Sequence, residues 1–318
     1  MRIVSLLPSA TEIVCALGAR DELVGRSHEC DFPADVTALP VITSARVGPL
    51  PTSGAIDRAV RGVLEDALAI YQIDEAKLRD ARPDVVVTQD LCDVCAVSLD
   101  DVRAAVARLA RRDVAIVNLH PTRLADIWRD IERVGDGVGR ADVARRVVRD
   151  LEARIDAIGR RAARAARAAR AKRPSVLSIE WIEPVMIGGM WMPELVALAG
   201  GEALVTRPGD HAPTLSREAL AAMDPDVVLI KPCGFDLPRT LDELPALERT
   251  LPWASWRCVA EGRVYVADGN AFFNRPGPRI VESLEILAAC VHPAAFGDLE
   301  AKHGASVVRI GPDLRAPA

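Results

Sequence analysis

Aromatic residues are scarce in this sequence: Phe, Trp and Tyr together make up 4% of its 318 residues. Charge of one sign is also lacking, since 40 basic and 45 acidic side chains leave a net charge of −5. Surfaces that bind nucleic acids need basic stripes and aromatic side chains on which bases stack. The composition therefore argues against a nucleic-acid partner.

No apolar run reaches the roughly 18 residues needed to cross a bilayer, so no membrane insertion is expected. Residues 1–19 begin like a signal peptide, but the polar stretch at 8–12 interrupts their apolar core. The seven cysteines are odd in number and irregularly spaced, which fits a reducing compartment better than a disulfide framework. These features predict a cytoplasmic protein.

Short apolar segments alternate with helical patterns along the first half of the chain. The predicted strands are 3–7, 23–27, 85–88 and 114–119, and predicted helices include 99–111 and 122–134. Ser9 and Glu12 match an S-x-x-E capping box, which predicts a helix from there to Gly18. Apolar strands that alternate with helices predict a parallel sheet covered on both faces.

The second half of the chain repeats the first. LRDARPDVVV at 78–87 has a counterpart, LAAMDPDVVL, at 220–229, with a helix end, a proline turn and a buried strand in the same order. A proline-free amphipathic segment between the halves predicts one helix of about 30 residues, about 45 Å long. We therefore expect two similar Rossmann-like α/β lobes with parallel sheets, joined by one long helix. The predicted bounds are 1–141, 142–173 and 174–318.

This plan resembles the cobalamin- and iron-siderophore-binding substrate-binding proteins of ABC importers, especially the cobalamin branch. The similar segments are SLLPSATEIVCALGARDELVG at 5–25, SHECDFP at 27–33, RPDVVVTQ at 82–89, DPDVVLIK at 224–231 and NRPGPRIVESLEILAACVHP at 274–293. The resemblance covers nearly the whole chain. It implies the helical-backbone substrate-binding protein fold, a monomer, a permease partner if the chain is exported, and binding in a cleft between the lobes without catalysis.

The resemblance also implies which loops contact the ligand. The expected ligand-binding residues are Pro8, Ser9, His28, Glu29, Gln89, Asp90, Cys92, Trp181, Trp191, Lys231, Phe272, Phe273 and Arg275. Aromatic side chains near strand ends suit a large, flat, partly apolar ligand. We expect that ligand to be cobalamin or a related corrinoid, with no resident cofactor. Cobalamin uptake proteins of this kind carry one surface acid per lobe that docks on the permease, and here the candidates are Glu75 and Glu218.

The cysteines near predicted strand ends allow several chemistries. Zinc binding by His28, Cys30, Cys92 and Cys95 is disfavoured because a second tight ligand pair is missing. A redox dithiol is disfavoured because the next predicted helix begins near residues 98–101, too far from Cys92 to lower its pKa. Two readings stay open. The thiols, Cys233 included, pack at the pocket edge, or Cys92 or His28 contacts the cobalt of a corrinoid.

The sequence leaves two alternative functions open. One is an intracellular corrinoid- or metal-handling enzyme or chaperone that uses Cys92, Cys95 and His28. The other is ferric-siderophore binding, which needs clustered arginines, for which Arg46, Arg207 and Arg275 are the candidates. No G-x-S-x-G elbow, P-loop or strand-following G-x-G-x-x-G is present, so no enzyme is expected. The insertion at 44–73 has no assigned function.

Overall fold

The structure, a computed structural model, describes residues 1–48, 50–65, 70–91, 98–109, 113–169, 172–251 and 253–311. Its strands are β1 (Ile3–Ser5), β2 (Leu23–Arg26), β3 (Thr43–Ala45), β4 (Tyr71–Ile73), β5 (Val85–Gln89), β6 (Ala115–Leu119), β7 (Ser175–Trp181), β8 (Met186–Ile187), β9 (Glu202–Ala203), β10 (Val227–Ile230), β11 (Val264–Ala267) and β12 (Val307–Ile310). Its helices are α1 (Pro8–Ala16), α2 (Ser53–Glu65), α3 (Glu75–Ala81), α4 (Leu99–Ala107), α5 (Leu124–Gly137), α6 (Ala141–Ala169), α7 (Met192–Leu198), α8 (Arg217–Ala221), α9 (Leu237–Asp242), α10 (Leu244–Thr250), α11 (Arg257–Ala260), α12 (Ile280–Val291) and α13 (Gly297–His303). Among these helices, none combines the length and the apolar character that a bilayer span requires.

The chain divides into two compact units, and the boundary falls inside α6. The first unit contains Met1–Pro51, Ala55–Leu151 and Pro276–Pro278, and the second contains Thr52–Gly54, Glu152–Arg275 and Arg279–Ala318. Helix α6 is continuous over 29 residues, as its proline-free pattern predicted. The predicted class, two α/β lobes with one long helix between them in the chain, is confirmed. The predicted domain bounds stay a prediction.

The first unit is built on a parallel sheet with strand order β2-β1-β5-β6. Its central strands β1 and β5 are fully buried, and Val4 and Val86 pack with Leu78 and Val102 from the covering helices. All four strands run in one direction, so their carboxyl ends meet at one edge of the sheet. The loops that follow these strands therefore lie along that edge.

The second unit has a mixed sheet in the order β12-β11-β10-β7-β8, with β9 paired to β7. Strands β7, β10 and β11 are parallel, whereas β8 and β12 are antiparallel to their neighbours. The expectation of a parallel sheet holds only for its centre. The turn between β7 and β8 has four residues, too few for the crossover that a parallel pair requires.

The start of α1 differs from the predicted capping box. The helix begins at Pro8, its N-cap residue is Leu7, and no side chain caps it. Proline at the first helical position fixes φ near its helical value and has no backbone N–H that would need a hydrogen-bond partner, so the helix begins before Ser9. Both Ser9 and Glu12 are buried inside the first turns instead, and the helix ends at Ala16 rather than Gly18.

The internal repeat is present in both units. In the first, α3 leads into β5, and its N-cap Asp74 accepts a hydrogen bond from the Lys77 N–H at 3.0 Å. In the second, α8 leads into β10, and Ser216 accepts one from the Ala219 N–H at 3.2 Å. The two copies thus share a capped helix that precedes a buried strand.

A buried carboxyl group on α5 makes the stability of the first unit depend on pH. Asp130 is 2% exposed and accepts hydrogen bonds from the His120 N–H at 3.1 Å and from Arg133 Nη1 at 2.7 Å. Burial raises the pKa of Asp130 to about 6, although Arg133 acts in the opposite direction. The folded state therefore holds a proton that the unfolded chain releases at lower pH.

We expect Asp130→Asn to flatten the dependence of stability on pH. The contribution of protonated Asp130 is present below about pH 4 and is lost as the pH rises through about 6, at a cost of about 2–3 kcal/mol. Asparagine keeps an acceptor for the His120 N–H and does not titrate. Urea unfolding at pH 4 to 7 measures the effect, with the exposed Asp136→Asn on the same helix as the control. Equal pH slopes for wild type and Asp130→Asn would contradict this assignment.

Candidate functional site

His28 lies two residues after β2, at the carboxyl edge of the first sheet. Its backbone N–H donates to Thr43 Oγ1 at 3.1 Å, and its Nδ1 lies 2.8 Å from the same oxygen. Because Thr43 donates its only hydroxyl proton to Ser27 Oγ at 3.0 Å, we infer that Nδ1 carries a proton and donates it to Thr43. This arrangement leaves the lone pair on Nε2. Burial lowers the pKa of His28, so its imidazole is neutral at pH 7. A neutral imidazole with a fixed tautomer is suited to bind a metal.

Tyr71, on β4, was not among the residues that the sequence singled out. Its ring contacts the His28 ring edge-on, with centroids 4.9 Å apart, and its hydroxyl donates to Glu29 Oε1 at 2.5 Å. Strand β4 pairs with β3, the strand of Thr43, in an antiparallel ribbon. The insertion at 44–73 thus supplies one strand that supports His28. The sequence signal was slight: Tyr71 is one of two tyrosines in the chain.

The loops after β1, β5 and β6 bring further predicted residues to the same edge. Pro8 is half-buried and Ser9 is buried at the start of α1. Gln89 is buried at the end of β5, and Asp90 Oδ1 lies 2.7 Å from His120 Nδ1. Cys92 and Cys95 lie outside the described residues, so their roles stay predictions.

Several buried polar atoms at this edge have no hydrogen-bond partner within the described protein. They are Ser9 Oγ, Thr88 Oγ1, Gln89 Oε1 and Asn118 Oδ1. A buried polar atom without a partner costs about 1–3 kcal/mol. These atoms are therefore suited to receive hydrogen bonds from a bound molecule, or in the case of the hydroxyls to donate them.

In the second unit, Lys231 lies in a buried polar network at the carboxyl end of β10. Its side chain is 0% exposed, and Nζ donates to Glu180 Oε2 at 2.8 Å and to Asn274 Oδ1 at 3.0 Å. Asn274 Nδ2 in turn donates to the backbone oxygens of Lys231 and Gly269, at 3.1 and 2.8 Å. Lys231 therefore connects β7, β10 and the loop that contains Asn274.

Two predicted aromatic residues of the second unit are directed into its interior. Trp191 is 6% exposed, and its Nε1–H donates to the backbone oxygen of Phe273 at 2.9 Å. Phe273 is buried with φ of 67°, and its N–H donates to Ser283 Oγ at 2.9 Å. Phe272 is half-buried beside the His303 ring. Direct contact of these side chains with a ligand stays a prediction.

Trp181 ends β7 and is half-buried. The centroid of its ring lies 5.2 Å from that of the Phe235 ring. The Arg239 guanidinium lies over the Phe235 ring, 3.8 Å from its centroid. The Trp181 Nε1–H donates to the backbone oxygen of Glu183 at 3.2 Å. Trp181 therefore offers an accessible flat surface in this unit.

Arg275, also predicted to bind ligand, is buried and donates to Asn270 Oδ1 at 2.9 Å.

The described cysteines are mostly buried. Cys30 is 1% exposed, and its Sγ accepts a hydrogen bond from Thr11 Oγ1 at 3.0 Å. Burial raises the pKa of Cys258 to about 11 and also raises that of Cys290. Cys233 is half-buried. Within the described ranges, no group of three or more His, Cys, Asp or Glu side chains is arranged to hold a metal ion.

The two acids expected at the permease differ in their surroundings. The Glu75 carboxylate accepts from Arg108 Nη2 at 2.6 Å and from Nε at 3.0 Å. Glu218 is exposed in the first turn of α8, where hydrogen bonds from its own backbone and from Ser216 lower its pKa. Both are charged at pH 7, but Glu75 is already paired within its unit.

Comparison with known proteins places the whole arrangement in one family. Residues 3–271 match the family model of periplasmic binding proteins. A curated relative from Bacillus subtilis, an uncharacterized ABC transporter substrate-binding lipoprotein, is 21% identical over 299 residues, covering 93% of this chain and 81% of its own.

Solved structures share the fold over most of the chain. A periplasmic haem-binding protein from Pseudomonas aeruginosa has a TM-score of 0.70 at 22% identity, covering 92% of this chain and 93% of its own. The periplasmic vitamin B12-binding protein BtuF of Vibrio cholerae has a TM-score of 0.63 at 18% identity, covering 92% and 97%.

The expected cytoplasmic location is wrong. The matching family consists of periplasmic binding proteins, and the curated relative is a substrate-binding lipoprotein. The expectation had depended on the polar stretch near Pro8. That stretch begins α1, so it reports on the fold of the first unit and not on the compartment.

The indole of Trp191 provides a test of the buried contacts in the second unit. We expect Trp191→Phe to lower the free energy of unfolding by about 1–2 kcal/mol more than Trp256→Phe, because it leaves the Phe273 carbonyl without its donor. Trp256 is a matched control, since it is buried and its Nε1 has no partner among the described residues. Urea unfolding measures both, and equal losses would mean that the Trp191 hydrogen bond adds nothing.

Proposed function

This chain belongs to the periplasmic binding protein family, and for this substrate-binding protein of an ABC importer we propose a metal-centred tetrapyrrole, specifically a corrinoid such as cobalamin, as the ligand. Members of the family bind a small molecule and deliver it to a membrane permease, without catalysis. The proposal therefore concerns which molecule is bound and which side chains contact it.

The observation that supports this ligand best is the state of His28. Thr43 fixes the proton on Nδ1, and burial keeps the imidazole neutral, so Nε2 is ready to coordinate a metal. Imidazole is a suitable axial donor for cobalt or iron. A ligand whose metal has an exchangeable axial position, such as hydroxocobalamin, would use this donor.

Other features agree with a flat ligand that has a polar rim. The half-buried Trp181 ring lies against Phe235 and offers an aromatic face in the second unit. In the first unit, Ser9 Oγ and Gln89 Oε1 are buried, have no hydrogen-bond partners among the described residues, and suit amide groups. Two solved relatives with this fold bind vitamin B12 and haem, which are both metal tetrapyrroles.

Haem is the second candidate, because of Tyr71. A tyrosine oxygen is a known axial donor to haem iron. The Tyr71 ring contacts the His28 ring, and the Tyr71 hydroxyl donates its proton to Glu29. This hydrogen bond holds the Tyr71 oxygen in a fixed position. The His28 and Tyr71 pair therefore suits either metal.

Affinity depends on sites that are formed before the ligand arrives. The Thr43 and Tyr71 contacts fix the position of His28 in the first unit, and the Lys231 network fixes the loop of Asn274 in the second. A side chain that is already ordered loses little entropy on binding. We therefore propose direct roles for His28 and Trp181 and supporting roles for Thr43 and Lys231.

We also propose Glu218 as the principal docking acid for the permease. Glu218 is exposed, whereas Glu75 already pairs with Arg108. We expect Glu218→Arg to abolish uptake of radiolabelled cyanocobalamin by cells that express the protein, with unchanged binding in solution. Glu248→Arg, another exposed acid of the second unit, is the control. Equal uptake by the two variants would exclude Glu218 from docking.

The ligand itself is tested by titrating the reduced protein with hydroxocobalamin and, separately, with haemin, while heat and the visible spectrum are recorded. We expect tight binding of hydroxocobalamin with a shifted spectrum, because imidazole replaces water on cobalt. His28→Ala should remove the shift and weaken binding at least tenfold, which is about 1.4 kcal/mol. His211→Ala, in an exposed loop, is the control.

Each outcome of this titration is informative. A shift that persists in His28→Ala would remove His28 from the metal. Tight binding of haemin alone would favour the second candidate. Binding of neither molecule would overturn the proposed ligand class and leave only the family assignment.

A further inference from the structure

Glu180 is a partly exposed carboxylate that the protein fixes in one position. It lies at the carboxyl end of β7, and its side chain is 27% exposed. Its Oε2 accepts a hydrogen bond from Lys231 Nζ at 2.8 Å. The carboxylate therefore has a defined orientation, and Oε1 accepts no hydrogen bond from the residues that the structure describes.

The cation that fixes Glu180 is itself unavailable to a ligand. Lys231 is 0% exposed, and its ammonium also donates to Asn274 Oδ1 at 3.0 Å. A buried ammonium is stable only with such partners, so moving it toward another anion would break two charge-assisted hydrogen bonds. A ligand that reaches Glu180 therefore meets its carboxylate and not the Lys231 ammonium, which is buried and already paired.

The neighbouring residue supplies an apolar surface. Trp181 follows Glu180 directly, and its half-buried ring contacts Phe235. The pairing of β7 with β8 shifts register between Ile179 and Trp181, and such bulges redirect side chains at the ends of strands. The strand end thus combines an aromatic face with a fixed hydrogen-bond acceptor.

We propose that Glu180 determines specificity by accepting hydrogen bonds from amide groups on the rim of the ligand and by repelling carboxylates. The inference rests on the proposed function, since it concerns which tetrapyrrole is bound. Corrinoids such as cobalamin carry amide side chains around the ring, whereas haem carries propionate carboxylates. An amide N–H completes the bonding of Glu180 Oε1, but a propionate places like charges together at a site where Lys231 is already paired. Glu180 therefore selects the corrinoid.

The test compares the dissociation constants for hydroxocobalamin and haemin in wild type and in Glu180→Gln. Glutamine keeps an acceptor for Lys231 and removes the negative charge. We expect the preference for hydroxocobalamin over haemin to fall about tenfold, because haemin binds more tightly while hydroxocobalamin changes by less than about threefold. Glu183→Gln is the matched control, since it removes an exposed charge three residues away, and it should change the preference by less than about twofold.

Glu180→Asp gives a second, independent arm. Aspartate keeps the charge but withdraws the carboxylate by one methylene, so hydroxocobalamin should bind about tenfold more weakly and haemin should gain nothing. Thermal unfolding of each variant shows whether it is folded. If Glu180→Gln does not fold, the dissociation constants of Glu180→Asp decide whether Glu180 contacts the ligand.

The outcomes separate this inference from the proposed function. If hydroxocobalamin binds but the preference is the same in wild type and Glu180→Gln, or shifts equally in Glu183→Gln, the role of Glu180 is overturned and the proposed function survives. If neither hydroxocobalamin nor haemin binds the wild-type protein, the proposed function fails and the inference fails with it.

Discussion

The parallel pairing of buried central strands is the constraint on which the rest of the structure depends. In the first unit β1 lies between β2 and β5, and in the second β10 lies between β7 and β11. These strands are buried on both faces, so their backbone groups must bond to one another. Parallel strands end at a common edge, and the chain leaves each strand there through a loop. Residues far apart in sequence, such as Ser9 and Gln89, reach the same edge for this reason.

The same constraint decides how polar side chains at those edges behave. A side chain at the end of a buried strand is only partly accessible to water, so it must find partners in the protein or in a ligand. Lys231 finds Glu180 and Asn274. Gln89 Oε1 finds none among the described residues. Side chains that find partners within the protein keep a site in a fixed shape. Side chains that find none are suited to direct contact with a ligand.

The parts of the fold that follow from local pattern could be predicted from the sequence. The strand around Val86 was evident from continuous apolar residues, and α6 from a long proline-free pattern. The edge residue His28 was evident because it follows a strand. The start of α1 was missed because the proline before Ser9 outweighs its capping signal. The contact of Tyr71 with His28 depends on the pairing of β3 with β4, which no local pattern reveals.

Ligand identity in this fold depends on two kinds of contact with different physics. The metal donor proposed here, His28 Nε2, would select for a metal with an accessible axial position, but it would not distinguish between rings that present such a metal. The proposed acceptor, Glu180, would select by the charge and hydrogen-bond donors of the rim, whatever the metal. The fold supplies the strand ends for both, yet it specifies neither residue, because loops and strand ends tolerate substitution while the buried strands do not. Specificity within this family must therefore be inferred from individual side chains such as these, and not from the fold.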